Sequence, residues 1–195
     1  MQSILIAPPA AEPVTLAEAR AWLRLDANDE DAAIASLVAA ARVLVETATR
    51  RALVTQTWRL VLDAWPDFSA RAIGGTCEIV VPLAPVQSVA GVRVYNAAGA
   101  QQLDAAAWRL FGAPEQARIV LSPPPQSGPP ADGMEIDLVA GYGDPQDTPA
   151  PLRHAILALT AFWFDNRGDV GAAGPENLPL RVAALIAPFR RRRLA

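Results

Sequence analysis

Residues 149–167 are the stretch that most constrains the fold, because they combine a proline-led start with apolar side chains on nearly every side. Pro151 suits the first turn of a helix, where the N–H that proline lacks has no partner in any case. One stripe of apolar residues recurs at helical spacing and contains Leu152, Ala155, Ile156, Leu159 and Trp163. Leu157, Phe162 and Phe164 lie off that stripe. The sequence therefore predicts a central helix that is buried on several sides, within its own domain and against a neighbouring subunit.

A predicted strand, residues 134–140, precedes this helix. Its apolar and acidic side chains alternate, with Ile136 and Leu138 on one face and Glu135 and Asp137 on the other. A glycine-rich turn then breaks the strand before the helix begins.

Other segments extend this order of elements. The helix closes with Trp-Phe-Asp-Asn-Arg at residues 163–167, and Val-Thr-Leu-Ala-Glu-Ala-Arg occupies residues 14–20. The acidic residues 29–31 open a second helix, and a closing helix that follows Leu178 and Pro179 ends in arginines. Together these features resemble the head-tail connector (adaptor) proteins of tailed phages and of phage-derived gene transfer agents.

The resemblance implies a structural function and no enzymatic one. It implies a ring of identical subunits, with 12 copies in the family's assembled particles. That ring would lie beneath the portal protein in the neck of a virion or virion-like particle and bind the next neck protein, the stopper. DNA would pass through its lumen. The family's connectors are chiefly helical, so a large β-rich insertion departs from its simplest members.

Composition excludes several other classes of protein. A hydrophobic content of 52% over 195 residues argues against disorder, and a net charge of −3 implies no general affinity for nucleic acid or acidic membranes. Met1 to Pro9 contains no basic leader, and no apolar run reaches the roughly 18 to 20 residues of a membrane span. We therefore expect a soluble protein that is made and assembled in the bacterial cytoplasm.

Metal and cofactor chemistry has little basis in this sequence. Cys77 is the only cysteine and His154 the only histidine, which excludes a disulfide within the chain and a Cys/His zinc site. The acidic residues 29–31 lack the glycine and terminal glutamate of a calcium-binding loop, so we interpret them as a solvated helix start. We expect no cofactor and no metal.

Nor does the sequence indicate a catalytic site. His154 follows Arg153 in an apolar helix, where a structural or interfacial imidazole is the better interpretation. The Gly-Tyr-Gly turn at residues 141–143 lacks the lysine and further glycines of a phosphate-binding loop. No pair of carboxylates is singled out for glycoside hydrolysis.

The first fifty residues predict two helices. Residues 1–13 are apolar and proline-rich, which suits either an extended arm or an edge strand. Thr15 and Glu18 have the spacing of a capping box that starts a helix running to about residue 25. A second helix is predicted at residues 30–50, with an apolar face made by Ile34, Leu37, Val38, Ala41, Leu44, Val45 and Ala48.

From about Leu53 the apolar period changes from helical to alternating. Besides residues 134–140, strands are predicted at 57–63, 77–81, 89–95, 108–111 and 117–121, with a turn at 96–99 and an exposed loop at 122–133. The predicted fold class is therefore α+β, a bundle of about four helices from both ends of the chain with a β-rich insertion in the middle. We expect three sections: residues 1–53 (arm and first two helices), 54–141 (β-rich insertion) and 142–195 (central helix, last helix and docking tail).

The last section carries the candidate partner-binding residues. A glycine-rich connection at 168–175 leads to a helix at 179–188, in which Pro188 should end regular helix near Ala187. We predict a docking tail for the portal, with an apolar anchor and a charged end: Leu185, Ile186, Phe189, Arg190, Arg191, Arg192 and Arg193. A subunit interface is predicted at Phe162, Trp163 and Phe164, since three consecutive aromatics point in directions about 100° apart.

Two alternatives remain open for the arginine run. It suits contacts with nucleic-acid phosphates, which makes a nucleic-acid-binding protein the second candidate function. A plain solvated tail is the other.

Overall fold

A computed structural model describes residues 1–62, 77–96, 99–122, 133–166 and 178–190 of the chain. The fold is α+β, and the described residues contain four α-helices and two antiparallel sheets. The chain divides into two compact units. A sheet unit contains Met1–Pro8 and Thr55–Gly141, and a helical unit contains Pro9–Val54 and Tyr142–Ala195.

The helical unit begins with α1 (Leu16–Leu23), whose first turn is closed by the predicted capping box. The Glu18 N–H donates to the Thr15 hydroxyl at 3.1 Å, and the Thr15 N–H donates to the Glu18 carboxylate at 2.8 Å. These bonds satisfy donors that a helix start leaves unpaired. The helix ends at Leu23 and is followed by Arg24, which has a left-handed backbone with φ of 59°.

The other three helices lie close to their predicted windows. They are α2 (Asp31–Thr49), α3 (Ala150–Asp165) and α4 (Leu180–Ile186). Regular helix stops at Ile186, and Ala187–Phe189 forms a 3-10 turn. This confirms the effect predicted for Pro188, whose ring prevents the α-helix from continuing.

The core of the helical unit lies between these helices. It contains the predicted apolar stripe of α3 together with one face of α2, and its fully buried large side chains include Ile34, Leu53, Leu152, Ile156, Leu159 and Ile186. Leu157 is also buried, as expected of a helix that is apolar off its main stripe.

Polar contacts fix the segment that follows α2. The Arg42 guanidinium bridges the carboxylates of Glu12 and Glu46, with both N–O distances at 2.7 Å. The second oxygen of Glu46 accepts a hydrogen bond from the Leu53 N–H, while the Leu53 carbonyl accepts from the Thr148 hydroxyl. The turn after α2 is therefore held by side chains from the helix and from a later part of the chain.

By length and composition alone α2 could cross a membrane, with a mean hydropathy of 1.5 over 18 residues. It instead supplies Ile34, Val38, Ala41 and Val45 to the core of the helical unit, and it carries the paired charges of Arg42 and Glu46. We therefore interpret α2 as the core helix of a folded unit.

The sheet unit contains eight described strands. They are β1 (Gln2–Ala7), β2 (Gln56–Leu62), β3 (Cys77–Val80), β4 (Val86–Asn96), β5 (Gly99–Gln102), β6 (Trp108–Phe111), β7 (Arg118–Leu121) and β8 (Met134–Ala140). One sheet has the order β1-β2-β8-β4-β5, and the other has the order β3-β7-β6. Gln2–Ala7 thus form an edge strand, which is one of the two structures predicted for residues 1–13.

Burial alternates along β8, as its sequence predicts. Met134, Ile136, Leu138 and Ala140 are buried, while Glu135 and Asp137 on the other face are partly exposed. Six predicted strands are found close to their expected positions, and β5 is an addition. Its sequence, Gly-Ala-Gln-Gln, has neither β-branched residues nor apolar alternation, so no periodic signal marks it.

Some predictions lie wholly or partly outside the described residues. These are most of the 122–133 loop, the connection at 168–175, the middle of the 96–99 turn, the last residue of the predicted 57–63 strand, and Arg191, Arg192 and Arg193.

Candidate assembly surfaces

Part of the predicted apolar anchor in the C-terminal segment packs into the core of its own subunit. Ile186 and Val182 are buried in the core of the helical unit, whereas Leu185 and Phe189 are half-buried against it. Arg190 is exposed. The outer surface of this segment also carries Leu180, whose side chain is 86% exposed at the start of α4. The segment thus has apolar residues on its inner and outer faces.

Arg51 holds the end of this segment in place. Its Nε donates to the Phe189 carbonyl at 2.8 Å, and another guanidinium nitrogen donates to the Tyr142 hydroxyl at 2.7 Å. The guanidinium carbon lies 5.6 Å from the centroid of the Phe189 ring and 6.0 Å from that of Tyr142, within the range of cation–π contacts. The starting point of the arginine run is therefore fixed by Arg51, a residue that no sequence pattern singled out.

The three consecutive aromatics near the end of α3 differ in burial. Trp163 lies in the core and is only 5% exposed, whereas Phe162 and Phe164 are half-buried and pack against that core. The helix brings all three within one turn but directs them differently. Of the three predicted interface residues, Phe162 and Phe164 have surface left for a neighbour.

The neighbourhood of His154 is aromatic and cationic. Its ring lies 5.9 Å from that of Trp22, tilted by 32°, and both residues are exposed. The adjacent Arg153 donates to the Pro13 carbonyl and to the Glu18 carboxylate, which fastens α3 to the start of α1. The exposed ring beside Trp22 is compatible with a structural or an interfacial imidazole.

Four charged side chains form a compact network on the partly exposed face of the sheet unit. The central strand β8 supplies Glu135 and Asp137, while Arg59 on β2 and Arg93 on β4 flank it. Asp137 accepts from Arg59 at 2.7 Å and from Arg93 at 2.8 Å, and Glu135 accepts from Arg93 at 3.1 Å. The hydrogen bond from Arg59 holds the pKa of Asp137 below its ordinary value, aided by the charge of Arg93 and opposed by partial burial. Each charge is thus neutralised across the strands.

The glycine turn bends the backbone, and the acidic stretch lies beside an arginine. Gly141 and Gly143 both have φ of 134°, a conformation that favours glycine, and they form a plain bend. Asp31 lies 3.6 Å from the Arg20 guanidinium. Within the described ranges, no cluster of three or more His, Cys, Asp or Glu side chains could hold a metal ion.

The sequence model of the phage gp6-like head-tail connector proteins matches residues 13–82. Three solved structures resemble the chain over 100% of its length and 98% of theirs. Two of the matched chains are 32% identical to this one with a TM-score of 0.80. They come from the neck of an empty gene transfer agent particle computed with C6 symmetry and from the virion of a native gene transfer agent particle. The third comes from the neck of a native particle computed with C12 symmetry and is 31% identical with a TM-score of 0.78. A search of curated proteins finds no match.

The chain belongs to the phage gp6-like head-tail connector family. It is accordingly a structural protein and not an enzyme.

Proposed function

We propose that this protein is the adaptor subunit of a phage-like particle, in which 12 copies form a ring beneath the portal and bind the next neck protein. The observation that carries this proposal is the full-length similarity to chains from particle necks, one of them computed with C12 symmetry. A likeness over the whole chain includes the sheet unit, so the proposal does not depend on the helical unit alone.

The chemistry of the chain agrees with a ring through which DNA passes. A net charge of −3 gives the subunit no general attraction for phosphates, so DNA in the lumen would not be held tightly. A closed ring needs two different surfaces on each copy, because a head-to-tail contact repeats around the axis. The subunit would be made in the bacterial cytoplasm, assemble there, and remain in the neck.

The C-terminal segment is the proposed portal-binding element. Ile186 fastens it to its own subunit, while Leu185 and Phe189 are only half-buried and Arg190 is exposed. In this proposal, Arg51 fixes the point from which the arginines of the tail extend toward carboxylates on the portal. Phe162 and Phe164 are proposed to contact the neighbouring subunit in the ring, beside the buried Trp163.

Gene deletion tests the function directly. In a strain that produces the particles, loss of this chain should leave DNA-filled heads without attached tails, and the wild-type gene should restore complete particles. Purified wild-type particles should contain the chain in a fixed ratio to the portal. Tailed particles formed normally without it, or particles that lack it, would contradict the proposal.

The nucleic-acid alternative rests on the exposed Arg190 and the arginines that follow it. Phe189→Ala distinguishes the two functions, because a docking tail needs its aromatic residue while phosphate contacts need only charge. We expect reduced incorporation into particles and unchanged binding of duplex DNA at two salt concentrations. Normal incorporation of Phe189→Ala, combined with salt-dependent binding of duplex DNA by both wild type and variant, would favour the nucleic-acid function.

A further inference from the structure

The five-stranded sheet has two outer strands whose free edges lack the usual protection. Every residue of β1 and every residue of β5 is exposed, and neither strand carries a charged side chain. Within the parts of the chain that the structure describes, no strand pairs with the outer edge of either one. Natural proteins usually protect such edges with charged residues or prolines, because unpaired N–H and C=O groups can form hydrogen bonds with a strand of another chain.

The β1 edge is also apolar. Ile4, Leu5 and Ile6 are 40%, 41% and 48% exposed, so three consecutive large apolar side chains face solvent on both sides of the strand. A run of this kind, without a charge, is expected to be covered in an assembled protein.

We propose that β1 of one subunit pairs with β5 of the next, so that the five-stranded sheets of neighbouring subunits join edge to edge around the ring. This inference rests on the ring proposed above. The occupant is a second copy of this chain, because one sheet supplies two different open edges at opposite ends. Two such edges make a head-to-tail contact, which is the kind that a rotational ring requires.

The topology predicts the direction of this pairing. All four neighbouring pairs in the sheet are antiparallel, so β1 and β5, four steps apart, run in the same direction. Neighbours in a ring of C12 symmetry, such as the matched neck, are related by a rotation of about 30°, which nearly preserves strand direction. The β5 and β1 strands of adjacent copies would therefore pair in parallel, joining two antiparallel sheets.

Four exposed positions on one face of the sheet allow a direct test. Gln2 and Ile4 lie on the same face as the charged network, because their partners in register are Val61 and Arg59. Ala100 and Gln102 lie on this face too, opposite Tyr95 and Arg93. Within one chain β1 and β5 are four strand spacings apart, about 19 Å, which is too far for a disulfide. Any disulfide between these positions must therefore join two copies.

The experiment uses paired cysteines in a Cys77→Ser background, with particles purified and then oxidised. Parallel pairing predicts covalent multimers extending up to the full ring from Gln2→Cys with Ala100→Cys, and from Ile4→Cys with Gln102→Cys. The swapped pairs, Gln2→Cys with Gln102→Cys and Ile4→Cys with Ala100→Cys, report antiparallel pairing. Each single variant is the control and should give no multimers.

The outcomes separate this inference from the proposed function. Multimers from the two swapped variants only would overturn the parallel arrangement. Particles that contain the chain but give no multimer from any pair would overturn the edge contact and leave the ring intact. Dimers from Gln2→Cys or Ile4→Cys alone would show two β1 edges pairing with each other, and a cross-link to another protein would show a different occupant. Absence of the chain from particles would instead refute the proposed function.

Discussion

Arg51 covers the ring of Phe189 at 5.6 Å and also donates a hydrogen bond to the Phe189 backbone carbonyl. One side chain therefore fixes both the ring and the backbone of the residue before the arginine run. The same guanidinium reaches the Tyr142 hydroxyl, which lies at the start of the chain's last section.

Replacing Arg51 should loosen the C-terminal segment. Arg51→Ala removes the hydrogen bonds to the Phe189 carbonyl and the Tyr142 hydroxyl. Two hydrogen bonds from a charged donor contribute about 3 kcal/mol at the lower end of their range, so we expect a loss of roughly 3 kcal/mol in the free energy of unfolding. Arg51→Lys is the matched control, because it keeps the charge but loses the planar fork. Urea denaturation measures the loss, and limited proteolysis should show faster cleavage after Phe189. Equal cleavage rates in Arg51→Ala and wild type would refute the role of this contact.

Substitutions of the three consecutive aromatics of α3 should affect stability and assembly differently. Trp163→Ala empties a core position and should lower the free energy of unfolding by about 3 to 5 kcal/mol. Phe162→Ala and Phe164→Ala should each cost less stability but reduce incorporation into particles, since these half-buried rings are the proposed subunit contact. Denaturation and particle composition measure the two effects. Normal incorporation of both Phe variants would exclude this interface.

Acid should weaken the charged network of the sheet unit in a predictable direction. The pKa of Asp137 is lower in the folded protein than its ordinary value of 3.8. A carboxyl group with a depressed folded pKa stabilises the protein above its unfolded pKa, and that stability is lost as pH falls through the folded pKa. The melting temperature of Asp137→Asn should therefore depend less on pH below about 4 than that of wild type. Asp29→Asn, at an exposed loop position, is the control and should follow wild type.

The capping box of α1 offers a fourth test. Thr15→Ala removes the acceptor for the Glu18 N–H and should cost about 1 kcal/mol of stability. Thr15→Ser keeps the hydroxyl and should stay close to wild type. The hydrogen bond from the Thr15 backbone lowers the pKa of Glu18 in the folded protein. Part of the stability that the capping box contributes should therefore be lost as the pH falls through the folded pKa of Glu18. Thermal denaturation of wild type and both variants at neutral pH measures this loss of stability. Equal melting temperatures for Thr15→Ala and Thr15→Ser would contradict the prediction.

Local patterns predicted most of the secondary structure, because caps, prolines and apolar periods act within a few residues. Thr15 with Glu18 starts α1, Pro188 ends regular helix, and β8 has the bounds that its alternation indicates. Strand β5 was not predicted, because it pairs with β4 although its own four residues show no apolar pattern.

The candidate surfaces were harder to predict, because they depend on which face of an element turns inward. The sequence grouped Leu185, Ile186 and Phe189 as one anchor, and an apolar period cannot say whether that face meets the subunit's own core or a partner. The structure buries Ile186 in the core. Similarly, Arg59 and Arg93 meet Asp137 only through strand register, which joins residues 44 to 78 positions apart. No local pattern reports contacts of that separation.

The division of the chain into units also has a consequence for the order in which the protein can fold during synthesis. All segments of the sheet unit lie within the first 141 residues, whereas the core of the helical unit needs α3 and α4 from the last third. On the ribosome, α1 and α2 emerge long before the helices that cover their apolar faces. The sheet unit can thus be complete before the partners of α2 have been synthesised, and an unfinished chain exposes this long apolar helix. A stall in translation between the two units would leave a folded sheet joined to an aggregation-prone helix pair.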